Sequence, residues 1–295
     1  MYDELRNWTK PFPKHVGTSA SPLRAQGPLA DRPDPKQNRL LASLPEQGYR
    51  EILAGLEGVL LPRGLALREP GVPQRYVYFP TSGIVAIVYV LETGAMTEIA
   101  LTGNEGMVGT PLILGSETAT SRAVVAGAGY AYRLSASVLK KLFERDGQTQ
   151  HLLLRYIHAL IAQTAQTAVC NRHHAVEQQL CRWLLLSLDR MPSDELAITH
   201  DLVATMLGVR RESVSEAVGR LQALEILQCR RGRITVHDRA KLEACACECY
   251  AVVKREYDRL IPAKLAARPS APAPTPTPFP ARFQSPTVSS SLIYG

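Results

Sequence analysis

The sequence predicts an α+β chain: an antiparallel β-roll, one long helix, and a winged helix-turn-helix, set between two Pro-rich ends. The prediction rests on three features. From Val59 to Leu134 short β-branched and aromatic runs alternate with glycine and proline. From Thr149 to about Cys170 apolar residues recur at helical spacing. From Ile198 the stretch ITHDLVATMLGVRRESVSEAVGRLQALEIL is followed by LQCRRGRITVH, two helices and a basic hairpin.

Each element follows in order. Residues 1–38 form an arm interrupted by Pro11, Pro13, Pro22, Pro28, Pro33 and Pro35, expected to be disordered. Residues 39–146 are the roll with its helical entry, in which Leu40, Leu41, Leu44, Ile52, Leu53 and Leu56 recur around a break at Pro45. Strands are expected at 75–79, 84–91, 96–101, 123–125 and 130–134. Ser135 is the expected cap of a helix over 137–144. Residues 147–172 are a long helix whose stripe of Leu153, Ile157, Leu160, Ile161, Thr164 and Ala168 suits either its own barrel or a second copy. Residues 173–261 hold the reader, with a helix over 177–188 ended by Pro192. The tail 262–295 repeats Pro among Ala, Thr and Ser and is expected to be disordered.

At 295 residues the chain has room for two folded units, and its net charge of +7 suits an anionic partner. No run approaches the ~20 apolar residues of a membrane span, and residues 1–14 lack an apolar signal core. A soluble, cytoplasmic protein with no membrane partner is expected. The six cysteines, all from Cys170 onward, are spaced unlike a secreted disulfide framework, so reduced thiols are expected. No phosphate-cradling loop, nucleophile elbow or metal-protease motif is present, so neither an enzyme nor a cofactor is expected.

The chemistry lies in the last third. Thr199 caps a short helix whose Leu202, Val203, Met206 and Leu207 point inward, and Gly208 turns the chain. A second helix starts at about Arg210, burying Val214, Ala217, Val218 and Leu221 and presenting charge outward. A helix N-terminus fits the major groove of duplex DNA, where Arg pairs with guanine and Glu accepts from cytosine. Arg211, Glu212 and Glu216 are the base-reading candidates, while Thr199, Arg210, Ser213, Ser215 and Arg220 are candidates for phosphate or positioning contacts. Arg230, Arg231 and Arg233 sit on a Gly-containing turn that suits a phosphate-gripping wing.

At these residues the chain resembles the Crp/Fnr family of bacterial transcription regulators, over about Leu40 to Tyr257. THDLVATMLGVRRESVSEAVGRLQALEIL followed by RRGRITVHDRAKLEA is similar to the family's reader and wing in order and spacing. The resemblance implies a cyclic-nucleotide-binding-like β-roll, a dimerisation helix and a homodimer on a roughly palindromic operator. It also implies that Arg211, Glu212 and Glu216 face base edges. Activation would need a surface that contacts RNA polymerase, which the sequence pattern does not reveal. In the effector region GNEGMVGTPLILGSETATSRAVV, Gly109 precedes Thr110 where the family's cyclic-nucleotide binders carry Glu. Arg122 precedes Ala123, with Ser121 before it. Those departures argue against cyclic AMP and leave an unknown small-molecule effector, with Gly106, Gly109, Ser121 and Arg122 as a candidate anion pocket. The family's oxygen sensors hold an iron–sulfur cluster largely through N-terminal cysteines, and none precedes Cys170 here.

Cys245, Cys247 and Cys249 are expected to pack a terminal helix on which only Cys245 and Cys249 share a side, so no metal site is expected. His173 and His174, near Cys170, read as hinge or helix surface. A competing reading, a ligand-responsive signalling module acting through protein contacts, does not require Arg211 or the wing to be exposed.

Overall fold

A computed structural model describes residues 33–191 and 193–261 of the chain. Part of the stretch 1–38 that the sequence assigns to a disordered arm is structured: Pro35–Gln37 form a 3-10 turn, and the Asn38 side chain takes the Leu41 N–H as an N-cap. The buried Asn38 amide also donates to the carbonyls of Pro80 and Gly106, both at 2.8 Å, so residues 33–38 belong to the roll. Residues 1–32 and 262–295, and Pro192 with its expected role as helix stop, lie outside the described residues.

Helices α1 (Arg39–Ala42) and α2 (Glu46–Leu53) flank Pro45, as the pattern predicts. The roll is built on β1 (Glu57–Leu61), β2 (Ala66–Arg68), β3 (Tyr76–Val90), β4 (Met96–Thr102) and β5 (Arg122–Ser135), all paired antiparallel in the order β1-β5-β3-β4, with β2 also on β5. Two pairs of expected strands are single long ones. Pro80, Gly83, Gly127 and Gly129 interrupt the pattern without ending it, because β3 shifts register against β5 between Pro80 and Val85. Irregularities of this kind accept Pro and Gly inside a sheet and bend it into a roll.

A short turn of helix, α3 (Thr110–Ile113), leads toward β5, and α4 (Ala136–Arg145) and α5 (Gly147–His173) follow the sheet. Ser135 occupies the N-cap of α4, but its hydroxyl meets Ser137 at 2.9 Å and makes no cap bond. The stripe read on α5 divides between two faces. Leu153 and Ile157 are buried with Leu152, Tyr156 and Gln163, whereas Ile161 is 60 % exposed. At ~100° per residue Leu154, Ile161, Ala165 and Ala168 line the side roughly opposite the buried one.

Helix α6 (Val176–Leu188) is buried almost all round, and one continuous apolar core joins it to both the roll and the C-terminal helices. Two polar contacts reinforce that junction. Glu105 and Arg190 pair at 2.8 Å with side chains 5 % and 4 % exposed; Arg190 further donates to the Leu186 carbonyl and to Gln163 Oε1. Glu98 on β4 accepts from Trp183 Nε1 at 2.9 Å.

Burial raises the Glu98 carboxyl from 4.5 to about 7, against the Trp183 bond and the charges of Arg182 and Arg190. A carboxyl raised on folding favours the protonated native state, so its contribution is full below pH 4.5 and is lost as pH rises through about 7. Glu98→Gln keeps an acceptor for Trp183 and removes that titration. From pH 5 to 8 the native chain should lose stability relative to this variant, by about 3 kcal/mol at most. Denaturant melts of both proteins across that range check it; parallel curves would reject the assignment.

Candidate nucleic-acid interface

The reader is a three-stranded sheet, β6 (Glu195–Leu196), β8 (Arg233–Val236) and β7 (Leu227–Arg230) in that order, with α7 (His200–Leu207) and α8 (Arg211–Ala223) packed on it. Thr199 caps α7, its hydroxyl accepting from the Leu202 N–H at 3.2 Å. Gly208 ends α7 in the left-handed region at φ 68, which a side chain resists. The second helix begins one residue later than expected: Arg210 is the N-cap and Arg211 the first helical residue. Val214, Ala217, Val218 and Leu221 are buried as predicted, so the remaining positions face outward.

Arg210, Arg211, Glu212, Ser215, Glu216 and Arg220 are exposed, and Ser213 is half-buried. Several carry partners that sequence could not reveal. Arg211 Nε lies 3.1 Å from Asp201 Oδ1, an ion pair that ties the first turn of α8 to α7. Ser215 Oγ meets His200 Nδ1 at 3.0 Å. Burial, then the charge of Arg211, lowers the pKa of His200. Arg220 pairs with Glu177 and Arg233 with Glu195. Among the described residues Arg210, Arg230 and Arg231 have no ion pair. In each of the three ion pairs the arginine is more than half exposed while its acid is 23–39 % exposed, a surface setting in which such pairs are worth little and exchange for a phosphate.

The wing is as tight as a hairpin can be. Arg230 pairs with Arg233, and the two residues between them, Arg231 and Gly232, sit at φ 48 and φ 74. Positive φ at both central positions defines a turn whose twist matches the strands it joins. Arg230, Arg231 and Arg233 are therefore displayed from a short, fully paired ribbon, on the same domain as the exposed start of α8.

The candidate effector residues do not assemble into an open anion site. Arg122 forks onto Glu69 with both contacts at 2.8 Å, and the Ser121 hydroxyl accepts from Arg68 at 2.7 Å. A Cβ on Gly106 would lie 2.3 Å from the Tyr156 ring, and one on Gly109 would lie 2.6 Å from Val77, so both glycines serve packing. The depression beside Ser121 is lined by Pro70, Gly71, Tyr89, Pro111 and Ser116 among others, none of them charged.

One constellation runs against expectation. The helix over Cys245–Cys249 does not exist: α9 (Arg239–Cys245) stops, Ala246 and Cys247 are extended, and α10 (Glu248–Leu260) starts afresh. That break turns Cys247 and Cys249, but not Cys245, toward Cys170 and His174 at the end of α5. Cys245 and Cys249 therefore belong to different helices, and the facing rule of a single helix does not relate them.

Residues 178–245 match the family model described as a Crp-like helix-turn-helix domain, and residues 59–146 match that of a cyclic nucleotide-binding domain. The chain is 23% identical over 210 residues to the global nitrogen regulator of Synechococcus elongatus, covering 68% of this chain and 93% of that protein. A transcriptional regulator of the Crp/Fnr family from Eubacterium rectale has a similar structure at 16% identity and a TM-score of 0.57, covering 71% of this chain and 98% of the other. FixK2 from Bradyrhizobium japonicum is similar at 16% identity and a TM-score of 0.54, over 65% and 98%. No helix among the described residues is long and apolar enough to cross a membrane.

Proposed function

The chain is a DNA-binding transcription regulator of the Crp/Fnr family, and on that premise we propose that it acts as a cytoplasmic homodimer reading a two-fold symmetric operator through α8 and the wing. The observation that carries this reading is the exposed first turn of α8, with Arg211, Glu212 and Glu216 outward, beside a three-arginine hairpin. In this reading Arg211, Glu212 and Glu216 address base edges. Arg210, Ser213, Ser215, Arg220, Arg230, Arg231 and Arg233 contact phosphates, and Thr199 fixes the start of α7.

A second copy is the occupant proposed for the free side of α5. Leu154, Ile161 and Val169 are 44 %, 60 % and 49 % exposed there, an apolar strip along one long helix. Pairing two such helices would place two readers on half-sites about one helical turn apart. The effector reading narrows: with Arg122 engaged by Glu69, a cyclic phosphate would have to displace a bidentate pair. No bond is made or broken in this function, and contact with RNA polymerase would be needed only for activation.

Selection of bound duplexes from a random library at moderate salt, with Arg211→Ala in parallel, tests the proposal. A two-fold symmetric motif is expected, and the variant should lose about 1–3 kcal/mol of discrimination at one base of each half-site. Weak, salt-labile binding with no enriched motif would sink the base-reading assignment and favour a module that acts through protein contacts.

A further inference from the structure

The cluster left over by this function is Cys170 in the last turn of α5, His174 at that helix's C-cap, Cys247 at the N-cap of α10 and Cys249 in the first turn of α10. Their ligand atoms all lie within 4.8 Å of one another. Cys170 Sγ and Cys247 Sγ are 3.6 Å apart, and Cys249 Sγ is 3.4 Å from His174 Nδ1. A tetrahedral zinc ion with ordinary Zn–S and Zn–N bonds has S···S and S···N edges of about 3.8 and about 3.6 Å. The two measured edges fall close to these values and the other four stay within 4.8 Å, so a small inward shift of the side chains would close the set on one point.

The three sulfurs form a buried cluster of their own, separate from the continuous apolar core that takes up the neighbouring leucines. The surroundings also match what holds ligands in place. Glu248 Oε1 lies 3.4 Å from His174 Nε2, on the ring nitrogen facing away from the thiols, where a carboxylate fixes tautomer and orientation. Gln166 Nε2 donates to Cys249 Sγ at 3.1 Å. The buried Arg182 guanidinium donates to Thr167 on α5, three residues before Cys170, at 3.1 Å and would balance the net negative charge of a zinc ion bound by three thiolates.

The geometry points to a structural Zn²⁺ site formed by Cys170, His174, Cys247 and Cys249, clamping the start of α10 to the end of α5. Binding would release the three thiol protons to solvent, leaving thiolates and neutral imidazole on the metal. With four protein ligands the coordination is closed, which suits a structural site and leaves no position for a substrate. The clamp joins α5 to α10, the second helix after the wing, so the metal would fix where the reader's C-terminal helices stand.

The test uses the full chain, expressed with added zinc and purified under reducing conditions without chelator, and reads metal content by elemental analysis. About one zinc per chain is expected for the native protein and for Cys245→Ser, whose sulfur lies outside the cluster. Cys247→Ser and Cys170→Ser should retain at least tenfold less. Because those variants can fail to fold, alkylation with peptide mapping on the native chain gives a second readout. Cys170, Cys247 and Cys249 should react only after chelation, and Co²⁺ replacing zinc should give the strong absorption of a tetrahedral thiolate site. A metal-free native chain that takes up no Co²⁺ overturns the inference. So does a Cys170–Cys247 disulfide in the purified protein, an iron–sulfur chromophore, or zinc that persists in both variants with alkylation unchanged.

Discussion

Ile161→Glu is expected to leave the chain folded but monomeric, and to weaken operator binding by roughly two to four orders of magnitude. The side chain is 60 % exposed on α5, so a carboxylate there costs the isolated chain little. The roll holds the opposite side of the helix, through Leu152, Leu153, Tyr156 and Ile157, and is untouched. In a dimer built on Leu154, Ile161 and Val169, two carboxylates would instead meet across an apolar seam, each losing its water. Affinity then falls because the second half-site is no longer bound at the high effective concentration that a tethered reader supplies. Light scattering gives the oligomeric state and fluorescence anisotropy at one fixed salt concentration gives the affinity. A monomer that binds as tightly as the native protein would remove the homodimer from the mechanism.

Glu105→Ala is the larger effect on the fold itself, with an expected loss of about 3–5 kcal/mol. The substitution strands the Arg190 guanidinium, 4 % exposed, among Leu186, Gln163 and the Tyr257 ring. It also frees the Gly103 N–H, which donates to both Glu105 oxygens at 3.2 Å. Glu105→Leu combined with Arg190→Met should recover most of the loss, since removing both charges of a buried pair is far cheaper than removing one. Urea denaturation of the three proteins separates these cases. If Glu105→Ala alone were neutral, the pair would be a bystander and the junction would rest on apolar packing.

Much of this was legible from local chemistry. The period of 3.6 marks α5 and α8, and Thr199 and Gly208 delimit α7 because capping and left-handed turns depend on one residue's own side chain. Where the reading fell short, the missing term was tertiary. Pro80 and Gly129 read as strand ends, yet register shifts absorb them inside β3 and β5. Leu153 and Ile161 read as one stripe, but only the surrounding roll decides which of them it covers. Ion pairs such as Arg220 with Glu177 and Arg233 with Glu195 join residues 43 and 38 positions apart and leave no local signature. Cys170 and Cys249 are 79 positions apart in sequence, and nothing but the folded chain brings them together.

The tightness of the wing bears on how its binding can be interpreted. A two-residue turn with every strand position already paired has almost no conformational freedom left to surrender, so engaging a phosphate orders side chains and no backbone. Long flexible basic loops differ, since salt then shifts both their folding and their contacts. Here the steepness with which affinity falls as ionic strength rises should be a direct tally of displaced counterions, with the hairpin arginines each adding about one to it.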